Sequence, residues 1–503
     1  MARKSNLSRR AFIGTAAASA VFTVVPRSVL GGPSHIAPSD QVNLGYIGCG
    51  TQGLREMCAQ ITNPLMRITA VCDPVRNSTD YVDWSLHGIR NGIRSLLGDS
   101  AWGEGLEGIP GGREVAAEVV ERYYSSKSET GNYKGCNAYT DFREMLEAEN
   151  GLDAVKVMTP DHLHATICIA AMKKGKHVVV HKPIANRMRE ARLTIDTAQN
   201  TGMRSHLLAW SNRPGPATAL SMIRSGAIGN LLEIHNWSNR PVWPQWTGLP
   251  ADRPELPEGF DWDLWLGPVP DRPYHPNYTH ATFRGWYDFG AGSMADMGHY
   301  SLWPLFDAFG IELPPIFAEA WGSTSCAITN HVSHGVVNDV AFPQSSIQRF
   351  RFPAQAGWPI FDLFWYDGGM KPPTPDELLE DGKSLDREGM MLVGDKGKIL
   401  ATFHCDRPRL IPEKRMAEWG GLDPEPQRAQ SRGENIWLEA FVNNRESPGS
   451  FLRARAITET INLGAVALRA GRRIEYDSST MKIPNYPDAE KFFTRTYRNG
   501  WEL

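Results

Sequence analysis

The sequence predicts an α/β protein, in which an N-terminal doubly wound parallel sheet is followed by an α+β domain with an open, mostly antiparallel sheet. Three observations carry this. Strand-like and helix-like apolar periods alternate along the first part of the chain, and a glycine cluster sits at their first switch. From Leu231 onward, short strand-like runs with many prolines and tryptophans replace the alternation.

The first strand is read from Val42, Leu44 and Tyr46, which alternate, and the first helix from Leu54, Met57, Cys58 and Ile61, which share one helical face. Between them lie Gly48, Gly50, Thr51, Gln52 and Gly53, a Gly-x-Gly-x-x-Gly turn. Gly48 permits the tight turn and Gly50 lets the backbone approach a pyrophosphate. Gly53 lets the helix pack closely on the strand, with the phosphates at the helix N-terminus. A second apolar run over residues 68–72 ends in Asp73, where an acid binds a ribose 2′-hydroxyl. That favours NAD, although Arg76 lies close enough to leave NADP open. A bare glycine motif is weak; strand, helix and acid together make a dinucleotide signature. The competing reading is the same fold with a vestigial pocket.

A polar, glycine-rich stretch over residues 76–112 reads as an insertion rather than a core element. Helical spacing resumes with Val115, Ala116, Val119, Val120 and Tyr123, and Asp141 with Glu144 forms a capping box for the next helix. A strand over 154–158, a helix over 164–174 and a strand over 177–180 continue the alternation. The domain boundary falls near 184–210, giving a nucleotide domain over 40–200 and a second domain over 201–503. Helical patterns return at about 294–309 and 434–470.

Residues 1–39 read as a signal peptide and linker. Ser8-Arg9-Arg10-Ala11-Phe12-Ile13 and the uncharged apolar stretch after it suggest twin-arginine export, which carries folded proteins and lets a cofactor be loaded first. These residues hold five basic side chains and no acid, so 48 basic and 56 acidic side chains remain. Such a balance disfavours nucleic acid as a partner. No later stretch is apolar enough to span a membrane. The seven cysteines are scattered, three within the nucleotide motif, and no pair has metal-ligand spacing; no metal and at most one disulfide are expected.

Two segments follow strands and so reach the carboxyl edge of the sheet, where ligands bind. They are Thr159-Pro160-Asp161-His162-Leu163-His164 and His181-Lys182-Pro183. Thr159, Pro160, His162, His164 and Lys182 are assigned to the cofactor. A partly desolvated Lys182 beside a nicotinamide is able to polarise or protonate a sugar oxygen; an ordinary surface lysine is the plainer alternative.

These segments, the glycine turn, Arg224-Ser225-Gly226-Ala227-Ile228-Gly229 and Gly290-Ala291-Gly292-Ser293-Met294-Ala295-Asp296-Met297-Gly298 resemble the Gfo/Idh/MocA oxidoreductases, in particular their twin-arginine-exported bacterial branch. Trp265-Leu266-Gly267-Pro268, Gly394-Asp395-Lys396-Gly397 and Tyr497-Arg498-x-Gly500-Trp501 extend the likeness over nearly the whole chain after the leader. The resemblance implies a Rossmann domain, a C-terminal domain with an open-faced sheet, NAD(P)-dependent redox chemistry on sugars, and a homo-oligomer. It also implies a Glu-Lys-Pro lysine and an Asp-x-Gly-x-His pair at the site. Lys182 and Asp296 match. His181 stands in place of the glutamate and Tyr300 in place of the histidine, with a histidine one position early at His299. On a helix, one residue rotates a side chain by about 100°, so Tyr300 is the better geometric heir. A phenol needs a neighbouring cation, and Lys182 can be that cation; the other proton carrier is His181.

Drift around a conventional dehydrogenase site is one reading of these departures. Transient oxidation that drives bond cleavage, as in glycosidases of the family, is another, and a non-catalytic sensor is a third. Seven of the sixteen tryptophans fall between residues 237 and 303 and suit either sugar rings or a subunit interface. Arg284, Trp286, Asp296, His299 and Tyr300 are the substrate candidates, with Asp288 and His280 as further polar contacts. The expected substrate is a small carbohydrate.

Overall fold

The computed structural model describes residues 40–128, 133–419 and 436–503. The expected leader lies outside these residues. Val42–Leu503 form one compact unit that contains both sheets.

Six parallel strands make the first sheet in the order β3-β2-β1-β4-β5-β6. They are β1 (Val42–Ile47), β2 (Met66–Cys72), β3 (Asn137–Tyr139), β4 (Ala154–Val157), β5 (His177–Val180) and β6 (Ser205–Leu207). Helix α1 (Thr51–Gln60) follows the glycine turn. The order reverses between β2 and β4 on either side of β1, the switch point at which such sheets bind ligands. Their apolar runs are buried on both faces, as parallel strands require.

The expected insertion is only partly loop, because it contains helix α2 (Gly88–Leu97), whose Ile89 and Ile93 are buried. Their spacing of four residues, among arginines and glycines, is too short an apolar stripe to register in the sequence. At the expected capping box, the Asp141 carboxylate accepts the backbone N–H of Arg143 at 2.8 Å.

Eight strands make the second sheet, in the order β15-β14-β13-β7-β12-β11-β8-β16. They are β7 (Leu231–Trp237), β8 (Phe317–Gly322), β11 (Ser346–Phe352), β12 (Phe361–Tyr366), β13 (Gly389–Gly394), β14 (Lys398–Ala401), β15 (Arg409–Ile411) and β16 (Ile474–Glu475). Every pairing is antiparallel except β7 with β12. A separate two-stranded ribbon joins β9 (Ser325–Thr329) to β10 (Val332–Val336). One apolar core joins the two sheets. It runs from Val157 and Val180 through Leu302, Trp303 and Phe306 of helix α3 (Gly292–Phe309) to Leu363 and Trp365, and on to Ile457 and Ile461 of helix α4 (Arg455–Ala470). The N-terminus of α3 is thereby fixed opposite the carboxyl ends of β4 and β5.

Among the described residues no helix is long and apolar enough to cross a membrane. All seven cysteines are free thiols.

Candidate active site

A cleft opens over the switch point. Its floor is the glycine turn. Gly48 has φ +96°, and a Cβ there would lie 2.5 Å from the carbonyl carbon of Met158. A Cβ on Gly53 would lie 2.2 Å from the Gly48 oxygen. Neither position admits another residue without moving backbone. Gly50 caps α1, no side chain bonds to that end and its first turn carries no acid, so the helix presents bare amides and a positive dipole end to the cleft. This fits a pyrophosphate, and Gly48, Gly50, Thr51, Gln52 and Gly53 all line the cleft.

Asp73 also lines it. Its carboxylate accepts the N–H of Cys49 at 2.6 Å and that of Val75 at 2.8 Å. Burial pushes its pKa up to about 6, against those bonds and Arg113. Arg76 turns to Glu258 at 3.1 Å and does not line the cleft. The acid at this end of the cleft is in keeping with NAD.

The insertion supplies one wall through Tyr81, Val82, Asp83 and Trp84. Arg55 of α1 binds both oxygens of Asp83, at 2.5 and 2.7 Å, and Tyr81 packs against His280 with ring centroids 4.1 Å apart. Trp84 lies 5.4 Å from the Arg240 guanidinium.

At the other end, past β4 and β5, a cluster of charges closes the cleft. Lys182 donates to Asp296 Oδ1 at 2.5 Å; Arg284 and Arg240 reach the same carboxylate, each at 3.2 Å. Burial opposes ionisation of Asp296, but the three cations outweigh it and hold the carboxyl below the usual range. Burial lowers the Lys182 pKa, with Asp296 opposing and Arg284 reinforcing. His181 Nε2 lies 3.0 Å from the Tyr300 hydroxyl, and Lys182 Nζ is 5.2 Å from the Tyr300 ring centroid. Burial, then Lys182 and Arg284, drive the His181 pKa far below 6.5, so its ring is neutral. His181 and Arg284 face the cleft directly.

Two stretches of the chain match models of one family. Residues 110–208 match its "Oxidoreductase family, NAD-binding Rossmann fold" description. Residues 222–310 and 366–503 match "Oxidoreductase family, C-terminal alpha/beta domain". Together they take in more than half of the chain. It belongs to the Gfo/Idh/MocA family of oxidoreductases.

Within this family, levoglucosan dehydrogenase of Pseudarthrobacter phenanthrenivorans is 32% identical over 138 residues, 26% of this chain and 32% of that one. A glycosyl hydrolase family 109 protein of Shewanella pealeana is 26% identical over 242 residues, 45% of this chain and 44% of that one. The matched stretches thus span less than half of either relative. The WlbA dehydrogenase of Chromobacterium violaceum, solved with NADH and UDP-GlcNAcA, superposes with a TM-score of 0.52 at 14% identity, covering 87% of this chain and 97% of that one, a likeness of fold.

Several sequence-selected residues of this Gfo/Idh/MocA chain lie elsewhere than the cleft. Thr159 and Pro160 line it, but His162 and His164 do not. His162 bonds to the Trp265 carbonyl at 2.8 Å and packs between the Trp265 and Phe289 rings. His164 lies between the carbonyls of Pro183 and Thr159, bracing the two strand ends. Burial lowers their pKa values to about 3 and about 4. His299 is fully buried and faces the Ala295 carbonyl of its own helix at 3.2 Å, rotated off the site as its register requires. Trp286 is 1% exposed and stacks on Trp246 in an aromatic core, so it has no surface to offer a substrate. The tryptophan-rich stretch is mostly core; Trp265 alone of its seven lines the cleft. Asp288 is engaged by Arg272 and Arg187 away from it.

The sequence reading passes over two groups. Arg240 follows β7 and has no motif around it. Asp161 sits inside the quoted Thr-Pro-Asp-His segment, between residues chosen ahead of it, yet it is the one whose carboxyl lines the cleft. Its place just beyond a strand end, inside a segment already singled out, was the available signal.

Proposed function

We propose that this protein is an NAD-dependent oxidoreductase acting on a hydroxyl group of a carbohydrate, exported by the twin-arginine route and assembled as a homo-oligomer through the open face of its second sheet. The observation that carries the proposal is the juxtaposition of the glycine-floored cleft with the Lys182–Asp296 pair and the His181–Tyr300 pair. The glycine turn and Asp73 hold the dinucleotide, which supplies a hydride acceptor. Tyr300 and His181 receive the substrate hydroxyl, Lys182 polarises its oxygen, and Asp296 with Arg240 and Arg284 orients the sugar. The basic leader supports export, and loading before export accounts for nucleotide chemistry outside the cytoplasm.

A second reading has its own support. Similarity to a glycosyl hydrolase family 109 protein over 45% of the chain favours a redox-neutral cycle, in which oxidation is transient and a glycosidic bond is cleaved.

Denaturing the purified protein and identifying released nucleotide by chromatography tests both. Bound NAD at about one per chain, with sugar oxidation lost in Lys182→Ala, is the expected result. Sugar cleavage without net NADH selects the second reading. An empty protein that also fails to bind added NAD, or a Lys182→Ala variant with near-normal turnover, overturns the proposal.

A further inference from the structure

The proposed chemistry releases a proton that needs a place to reside, and the two obvious groups are poorly suited to hold it. Lys182 is tied to Asp296 at 2.5 Å, and the imidazolium of His181 is disfavoured by burial and by Lys182 and Arg284.

Asp161 is differently placed. It follows β4, on the opposite side of β1 from Asp73, which ends β2. A dinucleotide laid over the glycine turn with one ribose at Asp73 therefore brings its nicotinamide half to the ends of β4 and β5. Asp161 is 6% exposed and lines the cleft. Its Oδ2 accepts the Ala291 N–H at 3.1 Å, at the start of α3, and so holds the side chain in place. Its Oδ1 has no hydrogen-bond partner among the described residues and is not among the fully enclosed polar atoms. One oxygen is thus anchored and the other is open to the cleft.

We propose that Asp161 is the proton-linked counter-charge of the nicotinamide ring, ionised when the bound dinucleotide is oxidised and protonated when it is reduced. The inference rests on the NAD-binding reading above. The oxidised ring carries one positive charge and the reduced ring none, so a carboxylate opposite the first and a carboxylic acid opposite the second leave the ring and carboxyl together without net charge in both states. The proton comes from the substrate hydroxyl during turnover and from buffer when NADH binds directly. The groups facing Asp161 leave it poised for this. Burial raises its pKa to about 7, with Arg284 and Lys182 pulling it down and Asp296 pushing it up. His280, at the same cleft, is held neutral by burial, its pKa lowered to about 4.

The test is the affinity of the protein, freed of nucleotide, for NAD⁺ and for NADH across neutral pH, read by quenching of tryptophan emission. Calorimetry in buffers of different ionisation enthalpy counts the protons taken up. In the wild type the preference for NAD⁺ over NADH should rise with pH, by up to about tenfold per unit near pH 7, and NADH should bring in up to one proton. Asp161→Asn keeps an acceptor for Ala291 and should flatten both. His206→Gln, outside the cleft, should leave both as in the wild type, and the wild-type ratio by itself keeps the test decisive if Asp161→Asn does not fold. Binding of both nucleotides with a pH-independent ratio overturns this inference alone, as does a slope that survives in Asp161→Asn or vanishes in His206→Gln. Failure to bind either nucleotide overturns the NAD-binding reading with it.

Discussion

The Tyr300 hydroxyl lies 3.0 Å from Nε2 of His181, at the residues where the Gfo/Idh/MocA pattern has a histidine and a glutamate. The two substitutions meet each other. A neutral imidazole with its proton on Nδ1 is able to accept the phenol's hydrogen bond at Nε2, and the Lys182 ammonium lies 5.2 Å from the phenol ring. Tyr300→Phe keeps the ring and removes only the hydroxyl. Turnover of the carbohydrate substrate should fall by about 10²-fold or more while NAD affinity changes little, a contrast read from kcat and a nucleotide titration. Unchanged kcat would remove Tyr300 from the chemistry.

Asp296 is the shared ion-pair partner of three cations, and its side chain is 7% exposed. Asp296→Asn leaves Lys182, Arg240 and Arg284 clustered without their counter-ion. Breaking a buried pair from one side costs about 3–5 kcal/mol, and denaturant unfolding should show a loss on that scale. Lys182→Met in the Asp296→Asn background should recover part of it, because one of the stranded charges leaves. The double variant is therefore expected to be more stable than the sum of the single effects. Simple additivity would mean that the pair does not couple.

Arg55 pins the cleft wall to the nucleotide helix through Asp83, whose side chain is only 2% exposed. Arg55→Ala leaves that carboxylate without its cation and should loosen the segment around Tyr81 to Trp84. The expected signs are faster proteolytic cleavage within residues 76–87 and several-fold weaker NAD binding, with bound NAD restoring protection. Wild-type proteolysis and affinity in the variant would show that the wall stands without this ion pair.

The nucleotide half was legible because its constraints are local. The glycine spacing, the strand before it, the helix after it and the acid at the next strand end all fall within a few tens of residues, and each has a periodicity or residue type of its own. The second half of the site was legible only by resemblance, since Asp296 reaches Lys182 across 114 residues of chain and Tyr300 reaches His181 across 119. Arg240 and the Asp83 wall were not legible at all, because charge pairs at such separations leave no pattern in one sequence. The histidines of the Thr-Pro-Asp-His-Leu-His segment misled for a physical reason. Imidazoles are as apt to brace buried carbonyls, as His164 does, as to face a ligand.

Acid should destabilise this fold from about pH 6.5 downward. Burial holds His162, His206 and His299 at about 3 and His164 and His280 at about 4, and His181 well below its ordinary value. Each contributes stability that is complete above the unfolded pKa of about 6.5 and is lost as pH falls toward its folded value. Asp73 at about 6, and Asp161 and Asp367 at about 7, act in the opposite sense. Their folded values lie above the unfolded one near 4, so they cost stability at neutral pH and return it on acidification. Six histidines against three carboxyls leave the unfolded chain binding more protons near pH 5, and each net proton is worth about 1.4 kcal/mol per pH unit. The melting temperature should therefore drop steeply between pH 6.5 and pH 5. In His206→Gln, whose Nδ1 meets the Ser447 hydroxyl outside the cleft, the slope should be shallower by up to one proton. A melting temperature that holds or rises over that interval would show that the buried carboxyls, and not the histidines, govern the acid response.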